Sequence, residues 1–249
     1  MIITQIKKRL KYIDSFLTFT VGSLGVDKLY EEKLFWKYVL KKVMMKNKIT
    51  YINTTILNKY NGGKIIIANH VHFTDVILIK NRINCYVVAK KNFITKEYSK
   101  LTFLNNYFIE KIKIIPYERS NMKDGKDVKN QILSLISSGE NVLVFPEGTS
   151  QMNSHNNLLP FKKGLFYLAY EYNIPILPAI IYYEDTTYGL DEETQVSVTN
   201  IIENKSDVVV KFFEHQFPSE YENVNDFMTT LYNMMNNQII KYNKKYSTK

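Results

Sequence analysis

The sequence predicts an α/β domain, a mixed and mostly parallel sheet flanked by helices, preceded by an N-terminal amphipathic two-helix segment that docks on a membrane. Three observations lead there. From residue 64 onward, short β-branched runs alternate with stretches of helical periodicity, the signature of strands joined by helical crossovers. Residues 1–48 carry eleven Lys/Arg against four Asp/Glu, so +7 of the total charge of +9 sits in the first fifth of the chain. No apolar run approaches the roughly 20 residues of a membrane span.

The elements follow in order. Residues 4–24 place Ile6, Leu10, Ile13, Leu17, Val21 and Leu24 at steps of three and four, with Lys7, Lys8, Arg9 and Lys11 at the start; this is one face of a helix. A secretory signal is the competing reading, but Asp14 and the threonines interrupt the apolar centre and no small-residue cleavage site follows. Residues 27–46 repeat the pattern. Leu29, Trp36, Leu40 and Val43 share a face beside Phe35 and Val39, and lysines fill the rest. A basic amphipathic helix with Trp and Phe can lie in a membrane interface, although an ordinary surface helix shows the same stripe. Two such patterns in succession, holding most of the charge, favour docking on anionic lipid. The chain therefore divides into residues 1–58, a basic helical docking segment, and 59–249, the α/β domain.

Within the domain the strand candidates are 64–68, 85–89, 113–116, 141–145, 176–182 and 208–213. The helix candidates are 74–80, 95–109, 123–138, 161–172 and 224–241. The tracts 151–157 and 184–193 read as loops, and the tail after Lys241 as frayed. The single cysteine, Cys85, excludes an intramolecular disulfide; in its apolar run it reads as a small core residue. No Cys/His spacing suggests a metal, no glycine-rich loop suggests a nucleotide cofactor, and no nucleic-acid-binding module is recognisable.

The chemistry gathers where strands run out, the usual place for ligands of such sheets. In KIIIANHVHFTD, a buried strand ends at His70 and a helix begins near Asp75. Across a strand-to-helix turn the carboxylate can reach the ring and hold one nitrogen protonated, leaving the other to take a proton from a hydroxyl. Taken alone, a strand-end His and an Asp near a helix N-terminus explain the pair equally well. Lys90 and Lys91 follow YVVA, Arg119 follows KIIP, and Glu147, Gly148 and Thr149 follow VLVF. Singly these read as surface lysines, a surface arginine and a solvated turn. As a set they offer a base with its orienter, cations for a phosphate, and a carboxylate beside a glycine. His72, His155 and His215 have no evident partners and read as structural or exposed.

Together these residues resemble the 1-acylglycerol-3-phosphate acyltransferase family of glycerolipid acyltransferases. NHVHFTD resembles its His-x4-Asp motif, IIPYERS its second motif, FPEGTS with LLPFKKGLFYLA its third, and IPILPAII its fourth. The likeness covers roughly residues 60–185 with the motifs in order. It implies that His70 and Asp75 are catalytic. It further implies that Arg119, with Lys90, contacts the acceptor phosphate, that Glu147, Gly148 and Thr149 bind the acceptor, and that Pro178 lies toward the acyl donor. The implied reaction is phospholipid biosynthesis: transfer from an acyl thioester, acyl-CoA or acyl carrier protein, to the free hydroxyl of a lysophospholipid, giving phosphatidic acid from 1-acylglycerol-3-phosphate. No other cofactor or metal is implied, and the expected location is the cytoplasmic face of a membrane. Ser150 stands where many members have an arginine, and Pro116 and Tyr117 replace a more usual Phe-Ile. The first departure keeps open remodelling or transacylation on another lysolipid. A non-catalytic basic membrane-binding protein would explain the charge but not the ordered motifs.

Overall fold

A computed structural model describes residues 48–71, 74–90, 113–118, 122–149, 158–184 and 207–246. The expected docking helices, the candidate helix 95–109, Lys91, Arg119, Ser150, His72 and His155 lie outside the described residues.

The described residues form one seven-stranded sheet. In chain order the elements are β1 (Ile49–Ile52), β2 (Ile65–Ala68), α1 (Thr74–Lys80), β3 (Tyr86–Lys90), β4 (Ile114–Tyr117), α2 (Met122–Ser137), β5 (Val142–Val144), α3 (Gly164–Glu171), β6 (Ile176–Tyr183), β7 (Val208–Phe212) and α4 (Val224–Tyr246). The strand order is β1-β7-β6-β2-β5-β3-β4. Strands β6, β2, β5, β3 and β4 run parallel, whereas β7 is antiparallel to β6 and β1 is parallel to β7. The sheet is therefore mixed and mostly parallel, as its alternating sequence predicts.

Alternation along the strands divides the core between two faces. Ile65 and Ile67 of β2, Val142 of β5 and Ile180 of β6 pack with Val128 and Ile132 of α2, Phe166 of α3 and Phe227, Leu231 and Met235 of α4. Ile66, Ala68, Leu143 and Ala179 face the other way, onto Leu78 and Ile79 of α1. Strand β2 is covered on both faces, so every residue from Ile65 to Ala68 is fully buried. A doubly covered strand reads as a continuous apolar run rather than an alternating one, and each buried Ile contributes about 1.5–3 kcal/mol relative to exposure.

The sheet begins earlier than the sequence division at 58/59 suggests. Ile49–Ile52, expected in the helical segment, pairs with β7 from Ile49↔Val208 to Ile52↔Lys211. Tyr51 then donates to the Leu78 carbonyl of α1 at 3.0 Å and carries the Arg82 guanidinium over its ring. The run Ile-Thr-Tyr-Ile has strand propensity, but its partner lies some 160 residues away. Helix α4 continues past Lys241, expected to be frayed, as far as Tyr246, because Tyr242 and Tyr246 pack against Tyr182, with ring centroids 5.2 and 5.5 Å away. Helix α3 starts three residues later than expected, since Leu159 and Lys162 donate their backbone N–H groups to the loop after β5.

Candidate active site

Two crossovers leave neighbouring strands toward opposite faces of the sheet. After β2 the chain turns to α1 on one face of the sheet; after the adjacent β5 it turns to α3 on the other. Loops that leave neighbouring carboxyl ends toward opposite faces part and form the crevice in which α/β sheets take ligands. His70 follows β2 and Glu147 follows β5 at this crevice.

His70 and Asp75 meet. The ring Nδ1 lies 3.0 Å from Asp75 Oδ2. Asp75 is completely buried, while the imidazole keeps 22% of its surface open. With Asp75 as carboxylate, Nδ1 carries the proton and donates; Nε2 then holds a lone pair. The other flank of the ring stacks on Phe145 at a centroid distance of 4.1 Å and an interplanar angle of 19°. Asp75 has two further donors on it: the Val71 N–H at 2.7 Å on Oδ2 and the Tyr183 hydroxyl at 2.6 Å on Oδ1.

Three consecutive residues around the imidazole are pinned from three different elements. The Asn69 side chain donates to the Ile181 carbonyl of β6 at 2.9 Å and accepts from the Ile181 N–H at 2.8 Å. The His70 N–H donates to Glu147 Oε1 at 2.9 Å. The Val71 N–H is the one held by Asp75. Two backbone N–H groups of the loop, those of His70 and Val71, are thus satisfied by buried carboxylates, as buried backbone requires.

Glu147 is 2% exposed, and its second oxygen accepts the Leu159 N–H at 3.0 Å. Both oxygens are engaged by backbone amides, so Glu147 braces the His70 loop against the segment entering α3. The expected contact of Glu147 with the acceptor would have to share the carboxylate with these two amides. Pro146 and Glu147 occupy the middle of a turn closed by the Gly148 N–H on the Phe145 carbonyl at 3.0 Å. Gly148 has φ +71°, a left-handed conformation that glycine adopts without strain. Thr149 follows on the surface.

Two expected residues stand apart from this cluster. Lys90 is exposed at the end of β3 and shares strand parity with Tyr86 and Val88, which face α2–α4, whereas the His70–Asp75 pair lies on the α1 side. Pro178 is buried within β6, paired with Ile67. Its carbonyl accepts the Phe213 N–H at 2.9 Å, just where the β6–β7 ladder gains one residue between Phe212 and Gln216. A residue without an N–H suits a bulge, so Pro178 shapes the sheet. Tyr183, Asn69 and Phe145 had escaped notice: Asn69 adjoins the histidine and Phe145 ends a strand, but nothing local marks Tyr183, 108 residues from its partner Asp75. Among the described residues, no group of three or more His, Cys, Asp or Glu side chains is arranged to hold a metal ion.

The chain was compared with known proteins. A 1-acyl-sn-glycerol-3-phosphate acyltransferase of Saccharomyces cerevisiae is 35% identical over 121 residues, 47% of this chain and 38% of that protein. An acyltransferase of Schizosaccharomyces pombe described as uncharacterized is 25% identical over 210 residues, 82% of this chain and 70% of that protein. A coconut 1-acyl-sn-glycerol-3-phosphate acyltransferase is 30% identical over 125 residues, 49% of this chain. The chain spans 38% of the length of both the budding-yeast and the coconut protein. The crystal structure of the 1-acyl-sn-glycerophosphate acyltransferase PlsC from Thermotoga maritima shares the fold, with a TM-score of 0.59 at 18% identity over 92% of each chain. The family model described as Acyltransferase matches residues 46–182, which include β1 through most of β6 and every element of the crevice; the chain belongs to the Acyltransferase family.

Proposed function

We propose that this protein transfers a fatty acyl group from an acyl thioester, acyl-CoA or acyl carrier protein, to the free hydroxyl of a lysophospholipid, with 1-acylglycerol-3-phosphate as acceptor and phosphatidic acid as product. The observation that carries the reading is the pair His70–Asp75, 3.0 Å apart at the end of the central strand. His70 Nε2 takes the hydroxyl proton as the acceptor oxygen attacks the thioester carbonyl. Asp75 stabilises the imidazolium that results. The C–S bond then breaks, the thiolate leaves with the proton from Nε2, and an ester remains. The substrate supplies the nucleophile, so the scheme needs no enzyme Ser or Cys and forms no acyl-enzyme.

Arg119 holds the acceptor phosphate through bidentate hydrogen bonds, with Lys90 as a second cation. Gly148 and Thr149 present the turn beside which the glycerol lies. The basic segment 1–48 brings the site to the cytoplasmic face of a membrane, where anionic lipid adds about 1 kcal/mol per nearby Lys or Arg. The names carried by the relatives and the order of the sequence motifs support the choice of acceptor.

The test is transfer of labelled acyl chains from acyl-CoA and from acyl carrier protein to a panel of lysophosphatidic acid, lysophosphatidylcholine and other lysolipids. The expected result is transfer to lysophosphatidic acid first, lowered on the order of 10²–10⁴-fold in His70→Ala, and a raised acceptor KM in Arg119→Ala. Near-normal turnover in His70→Ala removes the histidine from the mechanism. Preference for another lysolipid moves the reading to phospholipid remodelling.

A further inference from the structure

We infer that Tyr183 is a positioning residue for the acyl-transfer step, acting through Asp75 on His70. The inference rests on the acyl-transfer reading for its kinetic consequence. Tyr183 is the last residue of β6, the strand beside β2. Its parity along β6 turns it toward α1, on the face that also holds Asp75, while Tyr182 turns to the opposite face and packs on Tyr242 and Tyr246. The Tyr183 hydroxyl donates to Asp75 Oδ1 at 2.6 Å. The carboxylate is then held at both oxygens: Oδ1 by Tyr183, Oδ2 by the Val71 N–H and His70 Nδ1.

This clamp fixes the carboxylate plane. Val71 belongs to the same loop as His70, and Asp75 sits in the first turn of a helix only seven residues long. Those contacts come from the dyad's own stretch of chain. The Tyr183 bond comes from 108 residues away, on a strand whose residues here are all buried. It ties the dyad to the rigid sheet instead of to its own loop. Asn69 reinforces the same connection, since its side chain pairs with Ile181 of β6. Orientation of a base within a few tenths of an ångström is where such supporting bonds affect rate. The hydroxyl itself has no part in the proton transfer.

The experiment compares Tyr183→Phe with the unaltered protein. Phe keeps the buried ring and removes one oxygen, and Tyr182→Phe serves as the control on the other face. A hydrogen bond to a charged group supports an expected fall in kcat of roughly tenfold. The KM values for donor and acceptor should stay within about twofold, because Tyr183 touches neither. In a double-mutant cycle, Tyr183→Phe should cost little further in an Asp75→Ala background, which leaves the hydroxyl no side chain at position 75 to hold. Tyr182→Phe should leave kcat unchanged. Wild-type kcat in Tyr183→Phe, a kcat loss fully retained in the Asp75→Ala background, or a loss matched by a fall in folded fraction each overturns the inference. If the unaltered protein transfers no acyl group to any lysolipid, the acyl-transfer reading fails first. The coupling then remains open to test by NMR of the His70 ring resonances, which Tyr183→Phe should perturb and Tyr182→Phe should not; unperturbed resonances overturn it.

Discussion

Replacing Asp75 with Asn isolates the charge of the dyad from its geometry. The network decides which way the amide sits. The Val71 N–H is a fixed donor 2.7 Å from Oδ2, so an amide NH2 there would oppose donor to donor. The amide oxygen therefore takes the Oδ2 place, where it accepts from Val71 and still accepts from His70 Nδ1. The amide nitrogen takes the Oδ1 place, and the Tyr183 hydroxyl can turn to accept from it. The histidine keeps its tautomer and position; only the negative charge is gone. Unit charges about 4 Å apart attract by about 4 kcal/mol at an effective dielectric constant of about 20. At about 1.4 kcal/mol per tenfold, loss of that attraction to the imidazolium corresponds to about 10³ in rate. The imidazole is 22% exposed, and solvent screening lowers the figure, so a fall in kcat on the order of 10²–10³ is expected. The assay is release of the CoA thiol at saturating donor and acceptor, with a thermal melt on the same sample. Stability should fall by only about 1–2 kcal/mol, because each hydrogen bond finds a neutral substitute. A folded variant that keeps a third or more of the wild-type kcat would show that the buried charge does not support the imidazolium, and the general-base scheme would lose its main electrostatic argument.

Three further outcomes follow from the packing. A Cβ on Gly63 would stand 2.2 Å from the Ile136 carbonyl oxygen and 2.8 Å from its Cα. Gly63→Ala must push the end of α2 away from the start of β2, and should destabilise by about 1–3 kcal/mol in chemical denaturation. Glu147→Gln sets an amide NH2 against one of two fixed backbone donors, His70 N–H or Leu159 N–H. It should lower both melting temperature and kcat, while an unchanged kcat in a folded variant would separate Glu147 from the position of the histidine. Burial first, then nearby Lys64 and Lys59, push the His215 imidazole below its ordinary range, against a smaller opposing effect of Glu214. Its folded form resists the proton that the unfolded chain takes up as pH falls through about 6.5. Stability should therefore drop from pH 7 toward pH 5, and melting curves of His215→Gln should show a smaller drop over the same interval.

The parts of this protein that were legible in sequence are those whose cause is local. The run Ile65–Ala68 is apolar throughout because both faces are covered, and helix Thr74–Lys80 begins where Asp75 meets the favourable end of the helix dipole. The dyad could be read because its two members lie five positions apart and a strand-to-helix turn is the obvious way to join them. Strand β1 could not be placed by its neighbours, since four residues of strand propensity have no meaning until β7 supplies an edge. The same limit hid Tyr183 and the true position of Glu147. Both residues sit at the dyad only because β6 and β5 lie on either side of β2, and strand order is not written in any window of sequence. Pro178 shows the converse: its place in a motif suggested a ligand contact, whereas its missing N–H answers to a bulge in the β6–β7 ladder.

The order of strands also supports the proposal that places the chemistry at His70. Both neighbours of strand β2, β5 and β6, send a side chain or a backbone group into its outgoing loop and the helix after it: Glu147 to the His70 N–H, Ile181 to Asn69, Tyr183 to Asp75. Strand β4 at the edge has a neighbour on one side alone, so a residue beyond it can be supported from one direction only. A general base must hold one orientation through proton uptake and return, and the central strand supplies anchors on two sides for that purpose. A phosphate anchor has a lesser requirement, because charge attraction falls off slowly with distance and tolerates a flexible arm. The proposed mechanism accordingly puts the base after the central strand, held from two sides, and Arg119 after the edge strand β4, which has one neighbour.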